Sequence, residues 1–240
     1  NLEKDIKKDL ILYGGIEWKS YTPLGLANYQ RVLNFDTANV SNIKTFEFIG
    51  RVRWTKGEEF LSGYFDRTSL RSVYPIFSLQ AIIGMKNIFG SEYNYQRLEF
   101  QMEHNTQLGV LGRMRYGVTA GYIFGTTAYP FLKVHEGNQS LWLLTSTFNK
   151  LNFMEFISDK YLTGFIENHW EGLFFDRIPL VKKLNLRLVS TGRILYGDIS
   201  QKHEQAMLIP DFVKRFNGVP YMETSIGIEN ILKVIRVDIV

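Results

Sequence analysis

The sequence predicts an all-β chain, an antiparallel transmembrane β-barrel of the outer-membrane type, from three observations. Apolar and polar residues alternate along most of its 240 residues, the period-two pattern of strands with two unlike faces. Several alternating stretches are much longer than the roughly five or six residues of a soluble strand. Aromatic residues are abundant, with 18 Phe, 13 Tyr and 4 Trp. They gather near the ends of the stretches, where a membrane barrel carries its aromatic girdles.

Each element follows from the pattern. Residues 10–19 form a first, weakly alternating stretch. Thr45 to Lys56 sets Phe46, Phe48, Val52 and Trp54 against Glu47, Arg51 and Arg53. Stretches 58–68 and 75–86 are weaker. Tyr95 to His104 puts Arg97, Glu99, Gln101 and Glu103 on one face and Leu98, Phe100 and Met102 on the other. Gly109 to Tyr122 repeats this over an unusually long run. Residues 139–149 and 160–171 follow. Leu184, Leu186 and Leu188 then oppose Asn185 and Arg187. Met222, Thr224, Ile226 and Ile228 oppose Tyr221, Glu223, Ser225 and Glu229. Ile235, Val237 and Ile239 oppose Arg236 and Asp238. That makes about 10–12 strands, spaced as the hairpins of a barrel wall. Gly57-Glu58, Phe89-Gly90-Ser91 and Asp176-Arg177-Ile178-Pro179 read as turns. Gln201 to Pro220 reads as a long loop.

The longest uncharged stretch, Tyr116 to Leu132, holds Gly117, Gly121 and Gly125. A Gly-x-x-x-Gly helix face is one reading. The period-two flanks favour a strand in which the glycines relieve crowding or mark a bulge.

Alternation alone does not say which face is wet. A soluble sheet turns its apolar face inward, and a membrane barrel turns it to lipid. Strand length, girdle-like aromatics (Tyr13 and Trp18, Tyr93 and Tyr95, Tyr161 and Trp170) and the alternating signs of charge favour the barrel. On that reading Arg97, Glu99, Glu103, Arg113, Arg115 and Arg187 line the lumen. Their expected role is electrostatic, holding a plug or loop.

Composition narrows function. There is no Cys, which removes disulfides and thiolate metal sites. The net charge of +4 is mild, and the basic residues are interleaved with acids, unlike a nucleic-acid footprint. The four histidines, His104, His135, His169 and His203, lie more than thirty positions apart and lack metal-ligand spacing. No G-x-S-x-G elbow, P-loop or dinucleotide fingerprint occurs. Ser158-Asp159 with His169 is the nearest approach to a hydrolytic set. No catalytic residue, cofactor or metal is expected.

Longer runs carry a resemblance. They are Tyr129-Pro130-Phe131-Leu132-Lys133-Val134-His135-Glu136-Gly137-Asn138-Gln139-Ser140 and Phe148-Asn149-Lys150-Leu151-Asn152-Phe153-Met154-Glu155-Phe156-Ile157-Ser158-Asp159-Lys160-Tyr161. With them go Ile194-Leu195-Tyr196-Gly197-Asp198, Gly227-Ile228-Glu229-Asn230-Ile231 and Gly63-Tyr64-Phe65-Asp66-Arg67-Thr68-Ser69-Leu70. Over about residues 60–240 the chain resembles the barrel of Bacteroidota outer-membrane proteins with an N-terminal carboxypeptidase-regulatory-like domain, a family without an assigned function. It is more distantly similar to the surface-antigen barrels that insert or translocate outer-membrane proteins. In those, a loop returns into the lumen and is pinned by an Arg-Gly-Phe/Tyr motif. The corresponding region lies near Asn152 to Tyr161, and Arg-Gly-Phe is absent here.

Residues 1–240 are therefore expected to be one outer-membrane barrel domain of a larger protein, lacking periplasmic N-terminal domains and the end of the last strand. The expected function is non-enzymatic, in outer-membrane protein assembly or translocation or as a subunit of an envelope complex. Expected partners are outer-membrane lipid, including lipopolysaccharide, and other envelope proteins, with no nucleic acid. The alternatives are a passive channel for small solutes, an outer-membrane hydrolase and a soluble β-sheet binding protein.

Overall fold

The computed structural model describes residues 2–7, 9–25, 29–33, 36–63, 67–140, 144 and 147–240. Ten strands form one antiparallel sheet. They are β1 (Leu2–Lys7), β2 (Leu10–Tyr21), β3 (Ile43–Trp54), β4 (Ile76–Gly84) and β5 (Asn94–Gln107). After them come β6 (Arg113–Thr126), β7 (Lys160–His169), β8 (Arg187–Asp198), β9 (Tyr221–Ile231) and β10 (Ile235–Ile239). Spatial order follows chain order, so each strand pairs with its sequence neighbour, the arrangement that hairpin connections permit. Among the described residues no pairing joins β1 to β10, and the sheet is not closed. Two-stranded hairpins at Tyr29–Leu33 with Asp36–Val40, and at Glu59–Ser62 with Arg67–Arg71, extend two of the connections.

Several boundaries differ from the sequence reading, each for a local reason. The strand expected from Gly109 starts at Arg113, because Gly109–Leu111 is a 3-10 turn between glycines at φ 61° and 86°. At Gly112 a side chain would overlap the His169 carbonyl, so only glycine fits. Leu184 and Asn185 belong to a helical turn after Pro179–Lys182, which ends at Asn185 with φ 51°. Residues 139–149 hold no strand among those described. Asn138 Oδ1 accepts from both the backbone N–H and the hydroxyl of Ser140 at 2.8 Å and makes a turn there. The expected loop 201–220 opens with a helix, Gln201–Ala206. The expected strand 58–68 divides into Glu59–Ser62 and the start of Arg67–Arg71, which pair with each other; 64–66 lie outside the described residues.

The sheet is sided, and the apolar side is the exposed one. Trp18 is 55% exposed, Ile166 49% and Met222 64%. Phe48, Val52, Leu79, Leu98, Phe100, Tyr122 and Ile194 are exposed with them. The alternate face carries the charges, and several are sheltered, Glu47 at 4% and Glu223 at 7% exposure among them. Among the described residues no helix is long and apolar enough to cross a membrane.

The buried apolar core lies at one end of the polar face. Ile43 at the start of β3, Tyr95 at the start of β5, Ile123 near the end of β6 and Leu195 near the end of β8 surround residues of the connections 127–159 and 199–220. Tyr129, Leu132, Leu151, Met154, Ile157, Met207 and Val213 fill the space between them.

Three glycines shape the polar face of the sheet. Gly84 pairs across strands with Tyr95, Gly117 with Phe165 and Gly121 with Tyr161. In each case a Cβ would run into the partner's ring. The ring lies flat over the glycine, which packs the polar face tightly and lets the strands coil. The reading of Gly117 and Gly121 as relief of crowding matches this geometry.

Candidate functional site

The polar face holds the chemistry of the molecule. Its filled end is built on strand residues that grip the segment 127–159. Arg97 Nη2 donates to the Phe131 carbonyl oxygen. Lys133 lies 3.4 Å from Glu99, and the same carboxylate accepts the Tyr161 hydroxyl. Tyr95 donates to Glu47 at 2.6 Å. Farther along, the Glu223 carboxylate accepts the backbone N–H groups of Asn149 and Lys150, both at 2.8 Å, and the Tyr221 hydroxyl at 2.7 Å. One carboxylate thus satisfies two consecutive loop donors, and bonds to an ionised acceptor are the stronger kind.

The segment is also braced from within. Glu155 accepts the Asn152 N–H at 2.8 Å and pairs with Lys214 of the connection 199–220. Burial would raise its pKa, but the Lys214 ammonium and Asn152 hold it below the usual carboxylate range. Ser158 and Asp159 point to different histidines. His135 Nε2 is 3.1 Å from the Ser158 hydroxyl, and His203 Nδ1 is 3.0 Å from the Asp159 carboxylate, which also accepts the Ser200 N–H. All four side chains are buried. Burial, assisted by the Lys133 charge, drives the His135 pKa down to about 3, so the ring is neutral. Burial works against ionising Asp159, yet bonds from His203 and Ser200 outweigh it and hold its pKa low. Burial alone pushes the Tyr129 phenol up to about 12.

The open end is held by charged groups, several of them sheltered. Arg236 makes two bonds to Asp238, at 2.7 and 2.8 Å, and reaches Glu167 at 3.3 Å. His169 bridges Glu167 and Glu229, each at 3.0 Å. Arg115 pairs with Glu103 at 2.7 Å, and Arg51 with Gln80 at 2.8 Å. Between the two ends lies a cavity of about 400 Å³.

All six residues expected to line a lumen fall on this one face, since alternation and register give them the same parity. The structure divides them. Arg97 and Glu99 hold the inserted segment. Glu103 and Arg115 pair with each other. Arg113 borders a second, larger cavity at the open end, and Arg187 pairs with Glu171 in the β7–β8 connection at 3.1 Å. Ser158-Asp159 and His169 are not brought together. They stand at opposite ends of β7, on the order of 30 Å apart at about 3.3 Å per residue. Among the described residues no three His, Asp or Glu are grouped to hold a metal ion. Sequence reasoning missed Glu223 as a grip on the loop and Glu47 as the partner of Tyr95 across strands. Their face was legible from alternation, but nothing local marks which distant loop a strand carboxylate will hold.

The chain belongs to a family of unknown function, DUF5686, whose C-terminal domain matches residues 17–206. No curated protein matches the sequence.

Proposed function

We propose that this member of the family is a non-enzymatic wall of a transmembrane β-barrel in a bacterial outer membrane, serving protein assembly or translocation or an envelope complex. The observation that carries the reading is the sidedness of the sheet: exposed apolar and aromatic side chains on one face, sheltered charges on the other. In water, so much contiguous apolar surface is an aggregation hazard, whereas in a bilayer it is the ordinary outer face of a barrel. The dimensions agree. Trp18 pairs in register with Phe46, eight residues from Trp54 along β3, or about 27 Å along the strand. A tilt of about 40° brings this near 20 Å, within the roughly 25 Å apolar band of outer-membrane barrels.

Assembly is the favoured role for two reasons. Among the described residues β1 and β10 each pair on one side only, and a strand with one side unpaired can take a further strand, of this chain or of another. A segment braced across the polar face also obstructs free passage of solutes along it. The test is fractionation of the full-length protein, then fluorescence quenching of single-Trp variants keeping Trp18 or Trp54 by brominated lipid, then crosslinking from position 237 on β10. Membrane residence, quenching of both tryptophans and a strand-pairing crosslink to another envelope protein are expected. Extraction without detergent would overturn the membrane reading. Quenching without any such partner, combined with ion conductance, would overturn assembly in favour of a channel.

A further inference from the structure

The cavity in the middle of the polar face has a lining unlike the rest of that face. Arg51 and Arg53 of β3, Arg115 of β6 and Arg193 of β8 converge on it. Among the described residues Glu103 is the single acidic one in the lining, and Ser78, Gln101 and Thr119 add neutral polar groups. Some of the positive charge is answered locally, by Glu103 at Arg115 and by Glu58 at Arg53. Glu167 and Glu223 lie within electrostatic reach of Arg193, but outside the lining. Four guanidinium groups thus face the cavity directly, with Glu58, Glu167 and Glu223 set back from it and Arg51 bonded to Gln80. The Arg53 Nε is buried and has no hydrogen-bond partner among the described residues, a donor left unanswered at real cost.

Phe165 orders two of the guanidinium groups. Its ring lies over Gly117, with Arg115 at 5.2 Å and Arg193 at 5.9 Å from the ring centre. Cation–π contact holds such side chains in place, so less freedom is lost when an anion arrives. Guanidinium planes match carboxylate and phosphate oxygens in pairs. The volume of about 400 Å³ falls within the range of small-molecule pockets.

We propose that this cavity binds a small oxyanion of two or more negative charges, a phosphate or a polycarboxylate, held by Arg51, Arg53, Arg115 and Arg193. This goes beyond the membrane reading and does not depend on it.

The test is calorimetric titration of the full-length protein in detergent with inorganic pyrophosphate and, separately, with citrate. The two arms distinguish phosphate from carboxylate. Binding that weakens as salt rises is expected, and Arg115→Gln and Arg51→Gln should each weaken it about tenfold or more, the usual loss of a charge-assisted contact. Arg187→Gln, away from the cavity, should leave affinity unchanged. A second measurement needs no variant. Phenylglyoxal labelling of the unaltered protein, read by mass spectrometry, should show Arg51 and Arg115 protected by the bound anion. No binding of either anion, or binding without protection of those arginines, overturns the proposal.

Discussion

The two ends of the polar face are held by different physics. At the filled end, Tyr129, Leu151, Ile157 and Met207 are all but fully buried, and strand groups such as Arg97, Glu99 and Glu223 bond to the loop beside them. Away from that end, ion pairs hold the face: Arg115–Glu103 remains 40% and 48% exposed, and the pairs of Arg236 and His169 with Glu167 are sheltered but lie outside the buried apolar clusters. Burial stabilises by amounts that water does not screen, whereas exposed pairs contribute little. One sheet therefore carries a packed apolar region beside one held mainly by ion pairs, and the bound segment, not the strands, makes the difference.

The largest test of that contrast is Tyr129→Ala. Removing a fully buried ring from the filled end should cost about 3–5 kcal/mol, seen as a lower urea midpoint and faster hydrogen exchange across 127–159. Unchanged exchange there would mean the core lies elsewhere. Next is Glu223→Ala, which strands the N–H groups of Asn149 and Lys150. A loss of about 2–3 kcal/mol is expected, with protease cleavage appearing in the segment while the strands stay protected. Gly121→Ala should follow at about 1–2 kcal/mol, because the new methyl group displaces the Tyr161 ring from Glu99. A neutral result would show that the ring has room to shift.

Acid should reveal the same asymmetry. His135 stays neutral down to about pH 3 in the fold, against about 6.5 in an unfolded chain. Between those values the unfolded chain binds the proton and the native one does not. Stability from this group is whole above about pH 6.5 and falls as pH drops toward 3, by up to about 1.4 kcal/mol per pH unit. Asp159 and Glu155, with lowered carboxyl pKa values, add to the loss below about pH 4. Ring NMR signals of His135 that titrate near pH 6.5 in the native protein would contradict this. The smallest effect belongs to the open end. Arg115→Gln should change stability by less than about 1 kcal/mol, and an effect as large as that of Glu223→Ala would erase the distinction between the ends.

Much of the wall was legible in the sequence, because strand periodicity is local. Tyr95 to His104 and Thr45 to Lys56 announce both faces, and nearly all of each run lies in a strand, β5 and β3. The same parity put Arg97, Glu99, Glu103, Arg113, Arg115 and Arg187 on one face. The filled end was not legible. Phe131, Lys133, Asn149 and Lys150 meet their partners across 34 to 74 positions, and no period encodes a contact that long-range. Gly109 and Leu184 misled because alternation runs on into residues whose backbone angles belong to turns. The cavity was illegible for a similar reason: Arg51 and Arg193 come from strands far apart in the sheet, and only its curvature brings them to one space.

The way the segment 127–159 is attached has a mechanical consequence. It leaves β6 and re-enters at β7, and these two strands pair directly from Arg113–His169 to Tyr122–Lys160. Its ends are thus tethered side by side on a join that needs none of the segment's own contacts. Like a door hung on a finished frame, it can swing off the polar face while every ladder between neighbouring strands stays intact. The work of moving it is set by Arg97, Glu99 and Glu223, by the bonds of Glu155 and Asp159 to the connection 199–220, and by the buried rings, so what covers the polar face can change without dismantling the sheet.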